Sequence, residues 1–170
     1  MNDAPVLLDD ALHPVGILEN ASFGWTLQHN DLCTAELRLP CEDAANDLCV
    51  KLPWVHLQDG VRDLGVYRIP GMPASDVLPG GTRSYTLEHV LSLLLDALIF
   101  GEMGFDVIGI RDAIQQLMAQ QTVTRWVLDA CDFEQTVALS MSNISILEGT
   151  RKLCEELDAY TWECDTSVLP

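Results

Sequence analysis

The side chains of this sequence that could do chemistry are four histidines, six cysteines and 26 carboxylates, and their spacing decides what they could do together. Glu88-His89 comes nearest to an acid–base pair. On a helix beginning at Leu87, adjacent residues diverge by about 100° and do not face one another, so the pair reads as the rim of a first helical turn. His56 lies between Val55 and Leu57 in a strand-like run and therefore on the opposite face from both, a solvent or interface position. His13 and His29 sit in polar, turn-like surroundings. Cys33, Cys41 and Cys49 are evenly spaced and Cys131, Cys154 and Cys164 are scattered. No Cys-x-x-Cys pair occurs, which argues against structural zinc. Free, mostly buried thiols acting as small apolar side chains are the expectation.

The carboxylates fare no better as a site. Asp9-Asp10, Glu42-Asp43 and Glu155-Glu156 are neighbours in sequence, and adjacency does not bring two carboxylates onto one substrate atom. No window supplies the alternating oxygen ligands, central glycine and terminal glutamate of a calcium loop. Gly-x-Ser-x-Gly, His-Glu-x-x-His, the glycine-rich phosphate loop and the dinucleotide fingerprint are all missing. The expectation is therefore no catalytic residue, no cofactor-binding residue, no metal ligand and no cofactor: a chain that is not an enzyme.

Charge narrows the partners. Nine Lys and Arg stand against 26 Asp and Glu, a net charge of −17. Nucleic-acid binding draws on clustered cations that displace counterions, and no such cluster is present, so no specific nucleic-acid binding is expected. The most apolar stretch, Val90 to Phe100, contains Ser92 and Asp96 and is about half the roughly 20 residues a spanning helix needs, so no membrane insertion is expected. Met1-Asn2-Asp3-Ala4-Pro5 is acidic where a secretory signal is basic, and Asp9 and Asp10 break the apolar run that follows. The chain is expected to be made and kept in the cytoplasm, unless it leaves within an assembly. A disulfide framework would need an oxidising compartment that this N-terminus does not indicate.

The elements that must position these side chains change character along the chain. Hydrophobic residues make up 48% and charged residues 21%, a globular balance rather than a disordered one. Ser22 to Gln28 reads as a strand, and Cys33 to Leu39 alternates apolar and polar cleanly until Pro40 ends it. A helical turn is expected over Glu42 to Leu48. A hairpin follows, Trp54 to Gln58 and Leu64 to Ile69, about a turn at Asp59-Gly60 with a spacing looser than a two-residue loop. Three Pro and three Gly make 70–81 a loop. Leu87, Val90, Leu91, Leu94, Leu95 and Leu98 share one helical face, which predicts a helix near 87–100 capped by Thr86 and stopped by Gly101 and Gly104. Further helices are predicted near 110–121 and 144–159, the last capped by Asn143 and carrying Gly149 inside it at a cost of about 1 kcal/mol. Thr124 to Leu128, Phe133 to Met141 and Tyr160 to Cys164 read as strands. The fold class is α+β: a short-stranded, partly barrel-like sheet over 1–84, then an interleaved three-helix α+β portion over 85–170 packing on the same core.

Several segments, taken in order, resemble the N-terminal region of phage minor structural proteins, the tail-tip hub or tail-associated endopeptidase family. Glu19-Asn20-Ala21-Ser22 opens an early strand. Thr34-Ala35-Glu36-Leu37-Arg38-Leu39-Pro40 looks like the family's alternating strand ending in Leu-Pro, and Leu64-Gly65-Val66-Tyr67-Arg68-Ile69 is similar to its Gly-x-aromatic-Arg-Ile strand. Tyr85-Thr86-Leu87-Glu88-His89-Val90-Leu91 with Leu94-Leu95-Asp96 resembles its most recognisable stretch. Arg125-Trp126-Val127-Leu128 with Cys131-Asp132-Phe133, and then Trp162 to Pro170, complete the series, so that the resemblance spans residues 6–170. It implies a hub that trimerises into a ring, continues the tail tube at the virion tail tip as a DNA conduit, and meets distal tail and tape-measure proteins. An acidic lumen would suit a conduit that must not hold its cargo. The family normally continues into further hub domains and a wall-degrading or fibre-like module; peptidoglycan cleavage belongs to that module and is not expected of this chain. The competing reading is a small cytoplasmic α+β enzyme or ligand-binding domain, which would need a concave site with converging polar groups.

Overall fold

A computed structural model describes residues 3–28, 30–75, 80–122, 126–157 and 160–164. The chain begins with a hairpin that the sequence pattern does not announce, β1 (Val6–Leu8) and β2 (Pro14–Ile17). Strands β3 (Ser22–Thr26) and β4 (Thr34–Pro40) form the next antiparallel pair. The alternation in β4 is realised side chain by side chain: Ala35, Leu37 and Leu39 are buried and Thr34, Arg38 and Pro40 are exposed. Helix α1 (Ala45–Lys51) lies slightly later than the predicted turn. Strands β5 (Trp54–Asp59) and β6 (Arg62–Arg68) leave only Gly60 and Val61 between them, so the loop is tighter than the spacing suggested. Gly60 takes φ +62°, the left-handed conformation such a two-residue turn demands. The Pro/Gly-rich segment contains a two-residue strand, β7 (Ala74–Ser75), and leads into β8 (Thr82–His89).

These strands make one antiparallel sheet in the order β2-β1-β5-β6-β8-β4-β3, with β7 also on β8. The order is an open path, not a closed barrel. Its inner face gathers Leu7, Leu37, Leu39, Val55, Leu57, Tyr67, Tyr85 and Leu87, with Cys49 of α1 packed against them.

After a 3-10 turn (Val90–Ser92) and one turn of helix α2 (Leu93–Asp96) comes a long strand, β9 (Leu98–Gly109), then α3 (Ile110–Met118), β10 (Thr136–Ser145) and α4 (Ile146–Glu155). Strands β9 and β10 pair antiparallel as a two-stranded ribbon with two register irregularities. Helix α3 buries Ile110, Ala113, Ile114 and Leu117, the i, i+3, i+4, i+7 stripe of an amphipathic helix. Among the described residues, those up to Val90 together with Glu163 and Cys164 form one compact unit and Leu91–Trp162 the other, and the division expected at 84/85 falls inside β8. The chain is α+β.

The helix predicted near 87–100 does not form. Leu87 is in β8, only four residues are α-helical, and Leu98 to Phe100 begin β9. Tyr85, Leu87 and His89 satisfy period 2 as well as Leu87, Val90 and Leu91 satisfy period 3.6, and β8 gains a partner over its whole length: Thr82 to Glu88 pair with Pro40 to Thr34 of β4. Gly101 and Gly104 are ribbon residues, not helix stops. The cap of α4 is Ser145, not Asn143. Ser145 Oγ accepts from the Glu148 N–H (3.2 Å), and Glu148 Oε2 accepts from the Ser145 N–H (3.3 Å), a reciprocal capping box. Asn143 instead takes φ +49° at an irregularity of β10, where its Oδ1 accepts from the Gly101 N–H at 3.1 Å. Residues 126–128 and 160–164 contain no strand, and Thr124 and Arg125 lie outside the described residues.

Candidate functional site

Strand pairing, not helix geometry, sets the fate of Glu88 and His89. Successive residues of β8 point to opposite faces, so the two side chains part company. Glu88 Oε2 accepts from Arg68 Nη2 of β6 at 2.8 Å. His89 turns inward, 9% exposed, and meets the ring of Tyr67 edge-on, centroids 5.4 Å apart and planes at 88°. The β6–β8 register puts these two residues directly opposite. Burial pulls His89 down to about 4, so the imidazole is neutral at pH 7. Burial also raises the Tyr67 phenol far above its ordinary value, and its hydroxyl has no hydrogen-bond partner among the described residues. The neutral histidine packs edge-on against the aromatic ring across the β6–β8 pair.

His56 does find a carboxylate. Its Nε2 lies 2.8 Å from Asp63 Oδ1, and that same oxygen accepts from the Gly65 N–H at 2.8 Å. The bulge between Leu57 and Gln58 brings Asp63 within reach, so the pair fastens the β5–β6 hairpin. Asp9 serves a turn in the same way: Oδ1 accepts from the N–H groups of Ala11 and His13, both at 2.9 Å, between β1 and β2. These bonds, that from His13 first, hold its carboxyl below the usual range. Asp43 accepts from the Ala45 N–H (2.8 Å) at the start of α1 and from Asn20 Nδ2 (2.9 Å), and its carboxyl is lowered too. Glu155 and Glu156 are exposed at the end of α4. His29 lies outside the described residues.

All six cysteines are free thiols. Burial pushes Cys49 and Cys154 each up to about 11, so both are protonated at neutral pH and poor nucleophiles. Among the described residues no group of three or more His, Cys, Asp or Glu could hold a metal ion. No helix of the described residues is long and apolar enough to cross a membrane.

No motif announces the polar network that centres on Asn46 of α1. Its side chain is 2% exposed; Nδ2 donates to the carbonyls of Pro40 and Asp43, both at 2.8 Å, and Oδ1 accepts from Tyr85 Oη at 2.8 Å. The network ties α1 to β4 and β8. A cavity of about 190 Å³ in the second unit is lined by Leu93, Leu94, Asp96, Gln121, Thr122 and Trp126, among others. Gln121 spends its amide holding the backbone of Trp126, accepting from its N–H at 3.0 Å and donating to its carbonyl at 2.7 Å. The cavity is smaller than the roughly 300–1,000 Å³ of usual ligand pockets.

No protein-family profile matches this sequence, and no curated protein matches it. In fold the chain is similar to the crystal structure of prophage tail protein gp18 from Listeria monocytogenes EGD-e, with a TM-score of 0.51 at 10% sequence identity. The match covers 90% of this chain and 45% of that one, so the chain spans less than half of that protein's length.

Proposed function

We propose that this chain is a structural component of a phage or prophage tail, and that it acts at the tail tip as part of the hub ring continuing the tail tube. The observation that carries the reading is the likeness of fold to a prophage tail protein over nine-tenths of the chain. The ordered run of hub-like segments from Glu19 to Pro170 supports it independently. In this reading the chain is not an enzyme. Its polar side chains build turns, caps and strand pairs: Asp9 at β1–β2, Asp43 and Asn46 at α1, His56 and Asp63 at β5–β6. Three copies closing a ring, with distal tail and tape-measure proteins as neighbours, complete the proposal. The charge of −17 suits a conduit through which DNA passes without being held.

Purified tailed particles from an induced lysogen carrying the gene test this directly. The chain should appear in them by mass spectrometry, and gold-labelled antibody should mark the end of the tail distal to the capsid. Absence from intact particles would remove the tail assignment. Labelling along the tail shaft would keep the tail assignment and remove the tip.

A further inference from the structure

The outward face of the β9–β10 ribbon sets exposed apolar side chains beside exposed carboxylates. Along β9, Leu98, Phe100, Glu102, Gly104 and Asp106 are all exposed, while Ile99 and Phe105 are buried. Phe100 is 83% exposed and Leu98 54%. Beside them on β10, Ser142 stands opposite Glu102 and Ser140 opposite Gly104, both exposed, small and uncharged. The face thus has an apolar end, an acidic end and a floor of small side chains. Glu102 and Asp106 form no ion pair among the described residues.

Main-chain strand addition does not suit this ribbon. Positive φ at Gly101, Val107 and Asn143 interrupts both strands, a device that blunts exposed edges. A partner must read the side chains. A second copy is a poor candidate, because the chain holds nine cations against 26 acids. Of those nine, Arg38 and Arg68 are paired with Glu36 and Glu88, and Arg62 lies over Trp25. Anionic lipid and nucleic acid are repelled by the same carboxylates. We infer that the outward face of β9–β10 docks a basic partner protein. That partner sets an apolar side chain against Leu98 and Phe100, and lysine or arginine against Glu102 and Asp106. This inference stands apart from the tail reading.

The probe is a labelled amphipathic peptide with leucines on one face flanked by lysines, titrated by fluorescence anisotropy onto the full chain; a version with glutamates for lysines is the control. The lysine peptide should bind and the glutamate peptide should not. Phe100→Ser should weaken binding about tenfold, the effect of losing one buried aromatic contact. Glu102→Gln with Asp106→Asn should weaken it several-fold and remove most of its salt dependence. Glu155→Gln with Glu156→Gln, on exposed α4, should leave it unchanged. All these side chains are exposed, and circular dichroism of each variant should match the parent. Equal binding by parent and Phe100→Ser, or an equal loss from the α4 pair, would overturn the inference. So would sedimentation showing that Phe100→Ser abolishes self-association, since a second copy would then occupy the face.

Discussion

Asn46 is the residue whose loss should be felt most for its size. Replacing it by Ala takes away the Asn46 Oδ1 that accepts from the Tyr85 hydroxyl at 2.8 Å and the Nδ2 that donates to the Pro40 and Asp43 carbonyls, in a site where Tyr85 is 1% exposed. Breaking buried hydrogen bonds of this kind costs roughly 1–3 kcal/mol, so Asn46→Ala should lose about 2 kcal/mol in urea denaturation. Tyr85→Phe should cost less, since it leaves the Asn46 Nδ2 bonds to Pro40 and Asp43 in place, and the double variant less than the sum, because both changes break the Tyr85–Asn46 bond. Additive losses would show that the bond contributes nothing. His89 offers a second measurement, through pH. Its folded value of about 4 lies below the unfolded 6.5, so between these values the unfolded chain binds the extra proton. Stability is therefore intact above about pH 6.5 and falls as pH drops toward 4, by about 2 kcal/mol at pH 5. His89→Phe keeps the edge contact with Tyr67 and should flatten that decline. An unchanged slope between pH 7 and 5 would place the titrating group elsewhere.

At the scale of elements, Gly149 shows why α4 looked doubtful as sequence and is sound as structure. A Cβ there would stand 3.1 Å from Met141 Sδ of β10 and 3.3 Å from the Leu117 methyl carbons of α3, both side chains buried. The glycine lets α4 approach both. Gly149→Ala should therefore not yield the gain of about 1 kcal/mol that helix propensity alone promises, and Gly149→Val should destabilise by about 1–3 kcal/mol. A more stable Gly149→Ala would mean the contact is slack. Leu94 gives the complementary case: at 1% exposure, Leu94→Ala should cost about 2–5 kcal/mol, and half-buried Leu95→Ala clearly less. Strand β4, the β5–β6 hairpin and the stripe of α3 were legible because their periodicity has one reading. The leucine run from Leu87 was not, because its period fits two elements and the choice lies with β4, distant in sequence. β1 and β2 are three and four residues long, too short for alternation to show, and the Asn46 network joins residues up to 39 positions apart. His56 could be placed on a face from sequence, but only the bulge at Leu57/Gln58 brings Asp63 to it.

For the whole molecule, charge makes the proposed ring testable with purified protein. A ring of this chain must bring many carboxylates together, since each copy carries −17. Like charges within a Debye length of about 8–10 Å repel at moderate salt. Against that repulsion stand exposed apolar side chains, among them Val15 and Ile17 on β2, at 51% and 63% exposure. Apolar burial is insensitive to screening, whereas the repulsion shrinks as salt is added. Self-association should therefore be weak at low ionic strength and strengthen as salt rises, the reverse of an assembly held by ion pairs. Affinity for duplex DNA should stay negligible across the same series, since no cluster of cations offers counterion release. Sedimentation velocity over a salt series, with and without a labelled duplex, measures both. A monomer at every salt and at high protein concentration would count against a ring built by these residues alone. Duplex binding at physiological salt would end the passive-conduit reading, because a tube that holds DNA cannot also let it pass.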